Sequence, residues 1–207
     1  MLKADARKVH RDLRASLSEF KIQEKSKQIA ERFFQEFEPQ SLTHVFLSIA
    51  RLKEVDTSYI IKGLQHNDLV TCTGITDFES QSMKNVAFTE EIELVTSSFG
   101  IPEPVGGPLV NDLDIDRVLI PLLAFDSSGN RVGYGKGFYD NFLANCNNDV
   151  EKIGLSFFEP IDLIQDTQYL FMFFISHFSY TMFFMFTSFP SSHNSAPSII
   201  TFSIIIR

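Results

Sequence analysis

At 207 residues the chain is long enough for one domain with a full hydrophobic core that needs no disulfide or metal staple. A net charge of −8 argues against a general nucleic-acid or anionic-membrane binder, so any site for an anionic substrate must be a local basic pocket in an acidic protein. Two cysteines, Cys72 and Cys146, lack a C-x-x-C partner or a nearby histidine cluster and indicate neither a disulfide framework nor a zinc site.

In chain order, the charged N-terminus lacks an apolar h-region, so no secretory signal is expected and a cytoplasmic protein is. Residues 3–37 are charge-rich and periodic. Ala6, Val9, Leu13 and Leu17 fall on one helical face. A second helix starts at Ser18-Glu19-Phe20, carries Ile22, Ile29, Phe33 and Phe37 as its apolar positions, and stops at Pro39. Residues 44–49 read as a buried strand, and Asp56-Thr57-Ser58 as a helix cap ahead of Tyr59, Ile60, Ile61 and Leu64. Residues 69–75 and 83–88 are strand-like, while Gly100-Ile101-Pro102-Glu103-Pro104 is a turn or an extended crossing segment. A strand over 118–125 feeds a glycine-rich segment at 131–140. A helix from Phe138 to about Cys146 and a strand over 152–157 follow. Strands alternating with helices predict an α/β fold, a three-layer α/β/α sandwich around a mostly parallel central sheet.

The region 169–207 has a different composition. No charged residue lies between Asp166 and Arg207, and nine of the 22 phenylalanines fall in this stretch, so its composition is unlike that of the domain before it. Tyr169 to Phe189 is long enough to cross a bilayer, but serines, threonines and a histidine interrupt it and no Lys or Arg flanks it. Three explanations stand: a membrane anchor, a buried C-terminal element, or a tail outside the original coding frame. The abrupt loss of charge fits the third best.

Chemistry concentrates in Arg131-Val132-Gly133-Tyr134-Gly135-Lys136-Gly137-Phe138-Tyr139-Asp140. Three alternate glycines bury almost nothing and cost backbone entropy, so they serve to free main-chain N–H groups. Arg131 and Lys136 add positive charge, and a helix N-terminus follows, which is a physical recipe for holding phosphate. The segment is neither G-x-x-x-x-G-K-[ST] nor G-x-G-x-x-G, so the familiar nucleotide loops do not describe it.

Residues 120–140 resemble the signature of the 5-formyltetrahydrofolate cyclo-ligases (5,10-methenyltetrahydrofolate synthetases), P-x-x-A-F-D-x-x-G-x-R-L-G-x-G-x-G-Y-Y-D, with Val132 and Phe138 as mild departures. Companion motifs occur in order. They are Lys3-x-x-x-Arg7, Ser16-Leu17-Ser18, Phe46-Leu47-Ser48-Ile49 with Glu54-Val55-Asp56-Thr57, the segment 100–104, and Lys152-Ile153-Gly154-Leu155. The resemblance covers roughly residues 3–165.

That resemblance implies a NagB/RpiA/CoA-transferase-like sandwich and a monomeric enzyme acting on small molecules. Its reaction would be ATP- and Mg²⁺-dependent closure of 5-formyltetrahydrofolate to 5,10-methenyltetrahydrofolate. It implies Lys136 and Arg131 as catalytic groups. Lys3, Arg7, Arg131, Val132, Gly133, Tyr134, Gly135, Lys136, Gly137, Phe138 and Tyr139 would hold the nucleotide. Leu47, Glu54, Tyr134, Gly135, Lys136, Gly137 and Phe138 would hold the folate, and Asp140 the metal. Taken without the resemblance, Lys3 and Arg7 are solvated helix charges, Glu54 a helix-terminal carboxylate and Asp140 a cap. Asp126 reads as a turn residue. The histidines, His10, His44, His66, His177 and His193, show no ligand spacing and receive no role.

One departure matters. Members of the family continue past the 153–157 strand into a segment with a late Asp and a final strand, whereas here no Asp or Glu follows Asp166. A replaced C-terminal element, a bare sheet edge and a weakened magnesium site are the expectation. A sugar-phosphate isomerase or transferase of the same α/β class, and an inactive or membrane-tethered descendant, are the alternatives.

Overall fold

The computed structural model describes residues 1–89, 91–165 and, for the backbone, 173–176. The chain opens with α1 (Lys3–Ala15) and α2 (Glu19–Glu36), then β1 (Leu42–His44), α3 (Ser58–His66), β2 (Val70–Asp77) and β3 (Ser82–Ala87). The short strands β4 (Leu94–Thr96), β5 (Pro102–Pro104) and β6 (Leu109–Val110) lead to β7 (Arg117–Pro121), β8 (Ala124–Phe125) and β9 (Arg131–Val132). Then come α4 (Phe138–Asn145), β10 (Glu151–Ser156) and β11 (Phe173–Ser176).

Among the described residues, seven strands form one sheet in the order β11-β10-β7-β1-β2-β3-β6. The first five run parallel, and β3 and β6 add an antiparallel edge. Side chains alternate along β7: Leu119 joins one core cluster with Ile29, Phe33, Ile60 and Leu64 of α2 and α3. Val118 and Ile120 join another with Phe142 and Leu143 of α4. Helices therefore cover both faces of a mostly parallel sheet, as the alternation of elements predicts. Each such side chain, fully buried, contributes about 1.5–3 kcal/mol.

Local chemistry sets the helix ends. The Ser18 hydroxyl accepts from the Lys21 N–H at 3.3 Å to start α2, and Pro39 lies just beyond its end. At α3 it is the Asp56 carboxylate that takes the Ser58 N–H, at 3.0 Å, while the Thr57 hydroxyl donates to the Phe46 carbonyl at 2.6 Å. Arg117 on β7 is the largest fully enclosed polar side chain among the described residues. It is held by Glu151 at 2.5 Å and the Glu38 carbonyl at 2.7 Å, beneath the rings of Phe33 and Phe37.

Three sequence expectations change. The buried face of α1 is Ala6, His10 and Arg14, whereas Val9 and Leu13 are exposed, because α1 packs on the small β8–β9 hairpin rather than on the main sheet. The strand expected at 44–49 leaves the ladder after the Val45 N–H bonds the Cys72 carbonyl, and 46–49 turns aside. The strand expected over 118–125 splits after Pro121, which has no N–H to continue a ladder, and resumes as β8 paired with β9. At 100–104 the extended reading holds, since residues 102–104 form a strand antiparallel to β4.

A bare β10 edge is also not what is found. Residues 173–176 run parallel to it, Ile153 opposite Phe173 through Ser156 opposite Ser176. Phe-Phe-Ile-Ser is apolar and β-prone, which suffices to occupy that edge whatever the origin of the tail. The rest of 166–207, including most of the bilayer-length run at 169–189, lies outside the described residues. Among those that are described, no helix is long and apolar enough to cross a membrane.

Candidate active site

The strand order reverses between β1 and β7: from β1 the chain winds to β2 on one side, and from β7 to β10 on the other. The crevice outside the carboxyl ends of such a pair is where open α/β sheets bind ligands. A cavity of about 270 Å³ occupies this place. His44, Phe46 and Leu47 line it from the end of β1, Ile120 and Pro121 from the end of β7, and Thr73 and Gly74 from β2.

The glycine segment forms one wall. Asp126, fully buried, accepts the N–H groups of Ser128, Asn130 and Ile164 and the Asn130 amide, so it fixes the turn between β8 and β9. Past β9 the backbone is left-handed at Gly135 (φ +82°) and at Gly137 (φ +78°), the residue that starts α4. Only glycine adopts these angles without strain. Against this wall, α1 brings Lys3 and Arg7 to the same cavity, and Arg7 Nε donates to the Gly133 carbonyl at 2.9 Å.

Every site residue expected from the sequence lines this cavity except Val132. Val132 is buried instead among Ala6, Ala124 and Ile164, because the two-residue strand β9 turns it into the seam under α1. Lys3, Arg7, Arg131 and Lys136 give the cavity four cations against the carboxylates of Glu54 and Asp140, so it is locally basic in an acidic chain. Arg131 pairs with Asp140 at the edge, while its Nη1 is buried without a hydrogen-bond partner among the described residues.

Glu54 is enclosed. Its Oε2 accepts the Ile49 N–H at 2.7 Å and its Oε1 accepts the Tyr134 hydroxyl at 2.5 Å, while Arg14 donates to Tyr134 at 2.5 Å. Burial pushes the Glu54 carboxyl above the ordinary carboxylate range, and these donors and the Arg14 and Arg51 charges pull part of the way back. Burial likewise raises the phenols of Tyr134 and Tyr139 above their usual value.

His44, given no role from its spacing, lies at the base of the cavity between Asn85 and Tyr139. Burial lowers its pKa to about 4, so it is neutral near pH 7. Nothing in the one-dimensional pattern marks it, since its partners are 41 and 95 residues away. Arg14 was equally hidden, as one of several charges on α1. Cys72 and Cys146 are free and buried, and burial holds both thiols up at about 12.

Fold and site together define an α/β protein with a cationic, glycine-walled ligand cleft at its topological switch point. The chain belongs to the 5-formyltetrahydrofolate cyclo-ligase family, whose model matches residues 2–171. It is 35% identical to the mouse (Mus musculus) 5-formyltetrahydrofolate cyclo-ligase over 49% of this chain and 53% of that one, so it spans about half the length of that relative. The Escherichia coli enzyme of the same name is 32% identical over 65% of this chain and 76% of its own. Two solved structures of 5,10-methenyltetrahydrofolate synthetases share the fold. That from Aquifex aeolicus superposes with a TM-score of 0.70 at 23% identity, over 93% of this chain and 98% of its own. That from Mycoplasma pneumoniae gives 0.64 at 20% identity, over 80% and 92%.

Proposed function

We propose that this chain closes 5-formyltetrahydrofolate to 5,10-methenyltetrahydrofolate at the expense of ATP, as a monomeric cytoplasmic enzyme with small-molecule partners only. The observation that carries the proposal is the meeting of Lys3 and Arg7 of α1 with the 131–137 loop and Glu54 around one cavity. In the reaction the formyl oxygen attacks the γ-phosphorus, ADP departs, and the formyl carbon becomes an iminium phosphate. N10 then adds to that carbon, loses its proton, and inorganic phosphate leaves. Such chemistry asks a protein chiefly for positioning and charge neutralisation.

Lys3 and Arg7, one helical turn apart, grip the polyphosphate from one side. Arg131 and Lys136 face it from the other and neutralise charge as it moves to the leaving oxygen. The Nη1 of Arg131, unpartnered among the described residues, supports that role, because a buried donor without an acceptor costs free energy that a ligand oxygen recovers. Glu54, aligned by Tyr134 and Ile49, meets N–H donors of the folate, and Leu47 and Phe138 supply apolar walls.

Magnesium fits as an ion carried by the nucleotide. Among the described residues no three or more His, Cys, Asp or Glu gather into a metal site, but Mg²⁺ commonly takes one or two carboxylates and completes its shell with phosphate and water. Asp140, 69% exposed at the cavity edge, would be that carboxylate, and the ion would supply further charge neutralisation at the phosphates. We further propose residues 1–168 as the catalytic domain and 169–207 as a tail outside the original coding frame, even though its residues 173–176 pair with β10; mass spectrometry of the native protein would contradict this by detecting a peptide from 170–206. Release of ADP that requires 5-formyltetrahydrofolate tests the function. ADP formed equally without the folate contradicts it.

A further inference from the structure

Asp112, Asn85, His44 and Tyr139 form a chain of hydrogen bonds that ends at the cavity wall. Asn85 Nδ2 donates to Asp112 Oδ1 at 2.8 Å, and a carboxylate oxygen serves as the acceptor there. This fixes the amide, so its oxygen is the atom 2.8 Å from His44 Nδ1. An acceptor at that position requires the proton on Nδ1. The ring is fully buried, and that burial keeps it neutral. Nε2 therefore holds a lone pair, 3.2 Å from the Tyr139 hydroxyl. Tyr139 must give its proton to His44, and only oxygen lone pairs remain for the cavity that both side chains line.

We propose that His44 is a positioning residue that makes Tyr139 a hydrogen-bond acceptor in the cavity, matched to an N–H of the folate heterocycle and not to a phosphate oxygen. Phosphate oxygens accept hydrogen bonds, and a phenol whose proton is already committed has none to offer them. Tyr139 thus moves from the nucleotide side, where the motif alone puts it, to the folate side. The identity of the ligand rests on the cyclo-ligase reading; the direction of the relay does not.

Two measurements on the full chain test this. In ¹⁵N-resolved NMR of the ligand-free protein, His44 is expected as the neutral Nδ1–H tautomer, with an Nε2 resonance that moves on Tyr139→Phe. An Nε2–H tautomer overturns the proposal. In kinetics, Tyr139→Phe raises KM for 5-formyltetrahydrofolate about tenfold and leaves KM for ATP unchanged. His44→Phe does the same, and the double variant is no worse than either single one, because both remove one interaction. His44→Gln, which keeps a donor and an acceptor, recovers most of the loss. Losses that multiply in the double variant, or a rise in KM for ATP alone, contradict the proposal. The expected tautomer in a chain with no cyclisation activity contradicts the function and leaves the relay standing.

Discussion

Arg7 lies against Gly135: its Nη2 is 3.0 Å from where a Cβ on that glycine would be, and its Nε donates to the Gly133 carbonyl at 2.9 Å. Helix α1 and the glycine loop are thereby one unit, although 126 residues separate the bonded pair. Gly135→Ala adds a Cβ in a left-handed backbone and pushes Arg7 aside, so it costs about 1–2 kcal/mol and weakens ATP binding at least roughly tenfold. Gly133→Ala, whose Cβ meets nothing within 4 Å among the described residues, unfolds at the wild-type temperature. Calorimetric titration and thermal melts check both. A folded Gly135→Ala chain with unaltered ATP affinity contradicts the two-sided clamp.

Asp140→Asn separates two roles of one carboxylate. It removes the proposed magnesium ligand and releases Arg131 from its ion pair. Half-saturation by Mg²⁺ then rises about tenfold, while metal-free ATP binds no more weakly than to the wild type. A parallel loss of both affinities, in titrations with and without Mg²⁺, would place Asp140 in a structural role instead.

Glu54 gives a pH signature of definite sign. Its pKa is raised in the folded chain, so the stability it contributes is complete below the ordinary carboxylate range and is lost as pH rises through the raised value. Urea unfolding of the wild type compared with Glu54→Gln, which cannot ionise, should show a stability difference that shrinks from acid toward neutral pH. A difference that grows in that direction contradicts the burial of this carboxyl.

His44 has the opposite sign. With its pKa lowered to about 4, its contribution is full above about 6.5, the unfolded value, and is lost as pH falls from there to about 4. The loss amounts to about 3 kcal/mol in the wild type and is absent in His44→Gln. Denaturant midpoints measured across that window read it directly.

Much of this was legible in the sequence, for physical reasons that differ by element. The 131–140 loop was legible because glycines interleaved with Lys and Arg have no packing purpose. The two-faced sheet was legible because strands and helices alternate. The face of α1 was not, since buried Arg14 meets the Tyr134 hydroxyl 120 residues away, and Tyr134 in turn meets Glu54. His44 was hidden for the same reason. Strands β6, β8 and β9, of two residues each, are too short for any periodicity to show.

The central claim is the ring closure itself. 5,10-Methenyltetrahydrofolate absorbs in the near ultraviolet where 5-formyltetrahydrofolate does not, so absorbance followed with the purified chain, ATP, Mg²⁺ and 5-formyltetrahydrofolate tests it most directly. A rise that needs all three small molecules and is lost in Lys136→Ala is the predicted result. A flat trace from the folded, ATP-binding chain would contradict it.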